Sequence, residues 1–276
     1  ATPENGKIIF SQGVRYDIGN FSSFGKSLVI DGNNANIRPV KNSNTIHLRG
    51  GWEEIRKVSL IKEINHGFAG AGTGTPIHSI EIEGDHNLNQ GDLIRVVSDD
   101  LIVGGRPGAN GRERRIAEYA LIAGVNGNVL YLSGLLRESY KTNIRVAKLA
   151  KHRIVLENFN VEYNPQGLEE GWANNLITVE AAYQPIIRNI TCDGGYGSFI
   201  TMRGCYSYLV DTVYAKDLLN DPSSGNYGYG INDIGSEFGN VTEAFFANVR
   251  HGYTTNSDRI EANSNAIERF GSTANA

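Results

Sequence analysis

Leu156-Glu157-Asn158-Phe159-Asn160-Val161 reads apolar, any, Asn, apolar, any, apolar. The phrase returns as Ile187-Arg188-Asn189-Ile190-Thr191-Cys192 and as Phe246-Ala247-Asn248-Val249-Arg250-His251. Val210-Asp211-Thr212-Val213-Tyr214-Ala215 fits with Thr in the third place, and Ile55-Arg56-Lys57-Val58-Ser59-Leu60 fits with Lys there. In the later copies the third places fall at 158, 189, 212 and 248, steps of 31, 23 and 36 residues. The shortest step approximates one bare coil of a solenoid, and the longer ones are coils carrying extra loops. Asn tolerates the left-handed backbone that a sharp corner between two strands needs, and stacked Asn side chains can hydrogen-bond along the column. After such a corner, strand alternation puts the fourth and sixth places inward, so Phe159 with Val161, Ile190 with Cys192, and Val213 with Ala215 are expected to fill a core shared between coils.

Second strands lie between the phrases: Leu176-Ile177-Thr178-Val179, Phe199-Ile200-Thr201-Met202 and Gly230-Ile231-Asn232-Asp233-Ile234. The chain therefore reads as an all-β solenoid in three parts. Residues 1–64 hold N-terminal strands and the first coils, and 151–276 the later coils. Residues 65–150, where Gly-rich turns break the rhythm, read as a small β-rich insertion.

Composition agrees. Gly is 33 of 276 residues and Pro only 7, which suits short strands joined by tight turns. A net charge of -4 with scattered Lys and Arg argues against nucleic acid as a partner. No run approaches the roughly 20 apolar residues that cross a bilayer, so no membrane insertion is expected. The first thirty residues lack a signal-peptide pattern, and the start at Ala1 suggests a trimmed N-terminus. Cys192 and Cys205 are too few for a disulfide framework and read as buried free thiols.

Ile30-Asp31-Gly32-Asn33-Asn34-Ala35-Asn36-Ile37, the Gly91-Asp92 strand, and Tyr227-Gly228-Tyr229-Gly230-Ile231 followed by Arg250-His251-Gly252-Tyr253-Thr254-Thr255 resemble the pectate-lyase-like, right-handed, single-stranded parallel β-helix proteins of phage tailspikes and bacterial polysaccharide enzymes. The resemblance implies a homotrimer in a virion tail or outside the cell. Its partner would be a bacterial surface polysaccharide, bound and depolymerised by hydrolysis or β-elimination. A non-catalytic receptor-binding adhesin and a secreted pectate or alginate lyase or epimerase share the same fold. Such relatives continue for several coils beyond an Arg-His-like segment, so a further C-terminal portion is expected past Gly271-Ser272-Thr273-Ala274-Asn275-Ala276.

If the fifth and seventh places face outward, the sheet carries Asn160 and Glu162, Thr191 and Asp193, Tyr214 and Lys216, then Arg250 and Gly252. Glu162 and Asp193 on adjacent coils would form the carboxylate pair that glycoside hydrolysis uses, with Lys216 and Arg250 in line to neutralise an acidic sugar or an enolate-like intermediate. Ordinary solvated residues on a strand face are the alternative. Asp233 and Glu237 form a second acidic pair at turn spacing, where carboxylates are commonly turn formers. His251, beside Arg250, is placed for proton transfer, yet its sixth place in the phrase argues for an inward core histidine. Trp172, Tyr227, Tyr229 and Tyr253 offer ring faces to sugars, or pack a subunit interface. The histidines lack zinc-ligand spacing, Asp217 and Asp221 alone are a weak calcium signal, and no cofactor or metal is expected.

Overall fold

Period-two alternation, interrupted at fixed points, builds the molecule. In Leu28–Pro39, Leu28 and Ile30 are buried before the interruption and Ala35 and Ile37 after it. Between them Asn33 and Asn34 hold φ at 47° and 59°, a left-handed backbone that bends the strand and resets which side chains face in. The structure is a computed structural model describing residues 5–40, 44–67, 74–101, 115–162, 175–221, 226–255, 259–260 and 266–274.

The chain opens with β1 (Gly6–Ile9), β2 (Arg15–Ile18), β3 (Phe21–Phe24), β4 (Leu28–Pro39) and β5 (Ile46–Arg49). It continues through β6 (Trp52–His66), β7 (Thr75–Ile82), β8 (Leu93–Leu101), β9 (Arg115–Asn126), β10 (Val129–Leu132) and β11 (Arg145–Leu149). Then follow β12 (Ile154–Glu162), β13 (Ile177–Glu180), β14 (Ile186–Tyr196), β15 (Ile200–Arg203), β16 (Leu209–Asp221), β17 (Asn226–Tyr227), β18 (Tyr229–Ile234), β19 (Asn240–Val249), β20 (His251–Thr255), β21 (Arg259–Ile260) and β22 (Ala266–Ala274). These strands form two compact units, residues 1–51 with 151–256 and 263–276, and residues 52–150 with 257–262.

The first unit is a right-handed parallel β-helix. One parallel sheet runs β1-β4-β12-β14-β16-β19-β22, with β2 also on β4, and a second runs β20-β18-β15-β13-β5-β3. From β2 onward the strands of this unit alternate between the two sheets, apart from β17, which folds back on β16, and this alternation is what coiling means. The stack is continuous across residues 52–150, because β12 pairs directly with β4 and β13 with β5. Asn158, Asn189, Thr212 and Glu243, with φ of 62°, 53°, 51° and 51°, form the corner column, and Asn189 Nδ2 donates to Asn158 Oδ1 at 3.1 Å. Behind it Phe159, Ile190, Val213 and Ala244 stack in register inside the core. Cys192 and Cys205 are buried and free, and burial pushes the Cys205 thiol up to about 12.

Two copies of the phrase are corrected. The fourth coil's copy is Val241-Thr242-Glu243-Ala244-Phe245-Phe246, which pairs with Val210–Ala215 and makes the last step 31 rather than 36. Asn248 belongs to a different corner: it is left-handed like Asp217, φ 53° and 55°, and donates to Asp217 Oδ1 at 2.7 Å. One corner imitated the other. Ile55–Leu60 lies in the second unit, which begins at Trp52 rather than at 65, and its strand pairs antiparallel with β7 and β11.

That second unit is a ring. The pairings β6-β7, β7-β10, β10-β9, β9-β8, β8-β11 and β11-β6 are all antiparallel and return to their start, closing a six-stranded barrel. Closure leaves no unpaired edge within the ring, and Ile80, Ile82, Ile94, Val96, Ile122, Leu130 and Val146 fill its interior.

A polar cluster sits inside the β-helix. Asp233 follows Ile231 by two residues in β18 and shares its inward face, where it is 1% exposed. Its Oδ2 accepts from Tyr208 Oη at 2.9 Å and Tyr253 Oη at 3.0 Å, and its Oδ1 accepts from the Ser236 N–H at 3.0 Å. Glu237 is also fully buried, its backbone tied to Cys205 and Ser207 of the preceding coil. The expected surface pair is therefore internal, because Gly235 and Phe238, both left-handed, turn the chain at a corner of the coil rather than in an external loop.

Two predictions follow from this packing. A Cβ on Gly32 would lie 2.3 Å from Phe159 Cβ and 2.5 Å from the Asn158 carbonyl oxygen, whereas one on Gly51 meets nothing within 4 Å. Gly32→Ala is expected to lower unfolding free energy by about 2 kcal/mol, and Gly51→Ala to change it by less than about 0.5 kcal/mol, measured by denaturant titration.

The second concerns pH. Burial holds the Asp233 carboxyl above its ordinary range, opposed in part by hydrogen bonds from Tyr208, Ser236 and Tyr253. The native state keeps this proton to higher pH than the unfolded chain. Its stabilising contribution is full below about pH 4 and is lost as pH rises through the native value. Titrating stability against pH, the difference between Asp233→Asn and wild type should move in the variant's favour above that point; a pH-independent difference would show that folding does not shift this carboxyl, and a change of opposite sign that the fold favours the carboxylate.

Candidate functional site

Beyond the Asn158 corner the side chains alternate again, and every second one leaves the surface. Strand register sets Asn160, Thr191, Tyr214 and Phe245 side by side in one outward row, and Glu162, Asp193, Lys216 and Ala247 in the next. Neighbouring rungs lie about 4.8 Å apart. Thr191 Oγ1 donates to Asn160 Oδ1 at 2.6 Å, and Asn160 Nδ2 to Asn36 Oδ1 at 3.2 Å, so the first row is a hydrogen-bonded polar ladder leading to two exposed rings, Tyr214 and Phe245. In the second row Lys216 Nζ sits 2.9 Å from Asp193 Oδ2, with side-chain exposures of 39% and 64%. Its hydrogen bond and charge interaction with Asp193 raise the Lys216 pKa above its ordinary value.

Glu162, Asp193, Tyr214 and Lys216 thus come together as the repeat predicts. Arg250 does not join them, because Phe245 and Ala247 occupy the places the shifted alignment gave to Arg250 and Gly252. Phe245 was missed for the same reason: the copy that exposes it carries Glu243 where the phrase calls for Asn.

Arg250 instead organises a second group at the end of β19. Its guanidinium carbon lies 5.2 Å from the Tyr227 ring centre and 5.8 Å from that of Tyr229, and Nη1 donates to Asn220 Oδ1 at 3.3 Å. Tyr227 stacks on Tyr229 with centroids 5.6 Å apart, and Tyr229 on His251 at 5.5 Å. His251 is exposed, against the inward expectation, since the Asn248 corner resets parity and Val249 and Gly252 take the buried places. Tyr253 turns inward, its hydroxyl on Asp233, and is removed from the sugar-facing set. The Asp217–Asn248 hydrogen bond joins the two groups, since Asp217 follows Lys216 and Asn248 precedes Arg250 by two residues. Trp172 lies outside the described residues. Among the described residues, no group of three or more His, Cys, Asp or Glu is placed to hold a metal ion.

Chemically, the surface offers two carboxylates on adjacent rungs, a fixed cation beside one of them, and flat rings on either side of the corner. No protein-family model matches the chain. Among solved structures it is similar to the tailspike protein gp49 of Pseudomonas phage LKA1, with a TM-score of 0.68 and 18% identity, covering 96% of this chain and 41% of that one. The Gp54 tailspike of Acinetobacter baumannii bacteriophage AP22, solved with A. baumannii capsular saccharide, aligns at a TM-score of 0.49 and 11% identity over 87% of this chain and 41% of that one. The chain therefore spans well under half the length of either tailspike, and what it shares with gp49 is the parallel β-helix fold.

Proposed function

We propose that the chain is part of a phage tailspike that binds and depolymerises a bacterial surface polysaccharide, acting in the virion tail as a homotrimer. The observation carrying this reading is the exposed Glu162–Asp193–Lys216 row, set on rigid strands beside the polar ladder and the rings of Tyr214 and Phe245. Rings against sugar C–H faces and amide or hydroxyl groups against sugar hydroxyls are the ordinary terms of glycan binding. The likeness of fold to a phage tailspike supports the same reading.

Hydrolysis fits the row better than β-elimination. Two neighbouring carboxylates can divide the roles of proton donor and water activator or nucleophile at a glycosidic bond. Lys216, paired with Asp193 at 2.9 Å, is placed as a stabiliser of developing charge. Arg250, His251 and Tyr227 extend the binding surface past the corner, with Tyr229 buried beside them. A receptor-binding role without turnover is favoured by one observation, the direct Lys216–Asp193 ion pair, which occupies a carboxylate that chemistry would need.

Incubation with purified capsular and lipopolysaccharide glycans distinguishes these readings. New reducing ends without the ultraviolet absorbance of an unsaturated uronate are expected; absorbance would indicate lyase chemistry, and binding without either would leave the adhesin. Glu162→Gln and Asp193→Asn should each lower the release of reducing ends by about 100-fold or more with an unchanged circular dichroism spectrum. Full turnover in both variants would remove this row as the catalytic site.

A further inference from the structure

Strand alternation in the barrel sends Ile94, Val96 and Val146 into its interior and Arg95, Val97, Arg145 and Ala147 to its outer wall. Register then sets Ala147 opposite Arg95 and Arg145 opposite Val97, with Tyr119 on the far side of Arg95. Trp52, the first residue of β6, reaches across this wall and stacks on Tyr119, ring centroids 6.1 Å apart and planes 20° from parallel. A pocket of about 310 Å³ opens on the wall, and its lining includes Trp52, Ile55, Arg95, Val97, Arg145 and Ala147. Ligand pockets fall in a range of roughly 300–1,000 Å³, so this one suits a small unit.

The walls are fixed before any ligand arrives. Arg145 is held by Asp99 at 2.8 Å, and Asp99 also accepts from Asn143 Nδ2 at 2.7 Å. The Arg95 guanidinium carbon lies 5.2 Å from the Tyr119 ring centre. A guanidinium carries a fork of N–H donors, so one that already serves a partner can take a further acceptor. Ile55, 63% exposed, adds an aliphatic surface outside the barrel's core.

These surfaces ask for a ligand of two parts. The indole face of Trp52, with Ile55, Val97 and Ala147, suits a flat ring edged with C–H groups. The two guanidiniums suit a carboxylate on that ring, which they can hold by charge-assisted, bidentate hydrogen bonds. A neutral sugar would satisfy the first part alone.

We propose that this pocket binds a uronic acid unit of a saccharide, its ring face on Trp52 and its carboxylate held by Arg95 and Arg145. The choice of a saccharide over another ring acid rests on the reading of the chain as a glycan-binding protein. The pocket itself belongs to the barrel and takes nothing from the Glu162–Asp193–Lys216 row.

Trp52 and Trp172 are the two tryptophans of the chain, so Trp172→Phe leaves Trp52 as a local fluorescent reporter. Titrating this whole chain with digalacturonate should change its emission saturably at millimolar concentration or better, with weaker binding at high salt. The carboxyl-reduced disaccharide and benzoate should each bind at least about tenfold more weakly. Ile55→Glu, made at an exposed position and so expected to fold, sets a carboxylate in the wall and should lose about tenfold or more in affinity, while Ile55→Gln should not. Circular dichroism checks the fold of both. Adding Asp193→Asn should leave the titration unchanged, so failure of the catalytic row and failure of this pocket are read apart. An emission that digalacturonate does not move, equal affinity for the neutral disaccharide or for benzoate, or equal affinity in the Ile55→Glu and Ile55→Gln chains would each overturn the proposal.

Discussion

Four residues held in the left-handed backbone, Asn158, Asn189, Thr212 and Glu243, govern the β-helix from the inside out. For an L-residue this conformation costs roughly 1–2 kcal/mol, less for Asn, and more trouble for a β-branched residue such as Thr212. It persists because each corner is clamped on both sides. Residues before and after Thr212 pair in register with β14 below and β19 above, and the corner delivers Val213 and Ala215 into a core already shaped by Ile190 and Cys192. A corner that relaxed would turn one coil's core face outward and leave two neighbouring coils without their contacts, so the strain is borne by the whole stack.

The same constraint explains what could and could not be read from the sequence. Asn is common at such corners, so Asn158 and Asn189 announced the repeat, and with it the inward places of Phe159, Ile190 and Val213 and the outward places of Glu162, Asp193 and Lys216. Glu243 is no left-handed residue by type, so its corner was invisible, while Asn248, also left-handed but at another corner, offered a false match five residues on. That slip moved Arg250 into the column, sent His251 inward and hid Phe245. Asp233 was misplaced for a different reason. Its distance from Glu237 suits a turn, but its parity with Ile231 points inward, and the tyrosines that satisfy it lie 25 and 20 residues away, beyond any local reading.

The barrel of residues 52–150 was legible as β structure and illegible as a ring. Local patterns mark strands, but closure depends on β6 pairing with β11, partners separated by the length of the unit. The placement of this unit in the chain follows a physical rule. Since β4 and β5 pair directly with β12 and β13, residues 52–150 can be inserted in the sequence without interrupting either sheet, provided the inserted barrel satisfies its own edges.

Where the coils differ in length is where the surface chemistry differs. The step from Asn189 to Thr212 is 23 residues and that from Thr212 to Glu243 is 31. The longer coil contains the hairpin of β16 and β17, in which Asn220 pairs with Tyr227. That hairpin sets Tyr227 and Asn220 against Arg250, and Arg250 in turn against Tyr229. The bare coil provides the frame, fixing Asp193 opposite Lys216 with the precision of a strand ladder, and the added residues hang aromatic surface beside it. Division of this kind lets ligand preference change through the loops without disturbing the corners, since the hairpin begins only after Asp217 has made its hydrogen bond to Asn248.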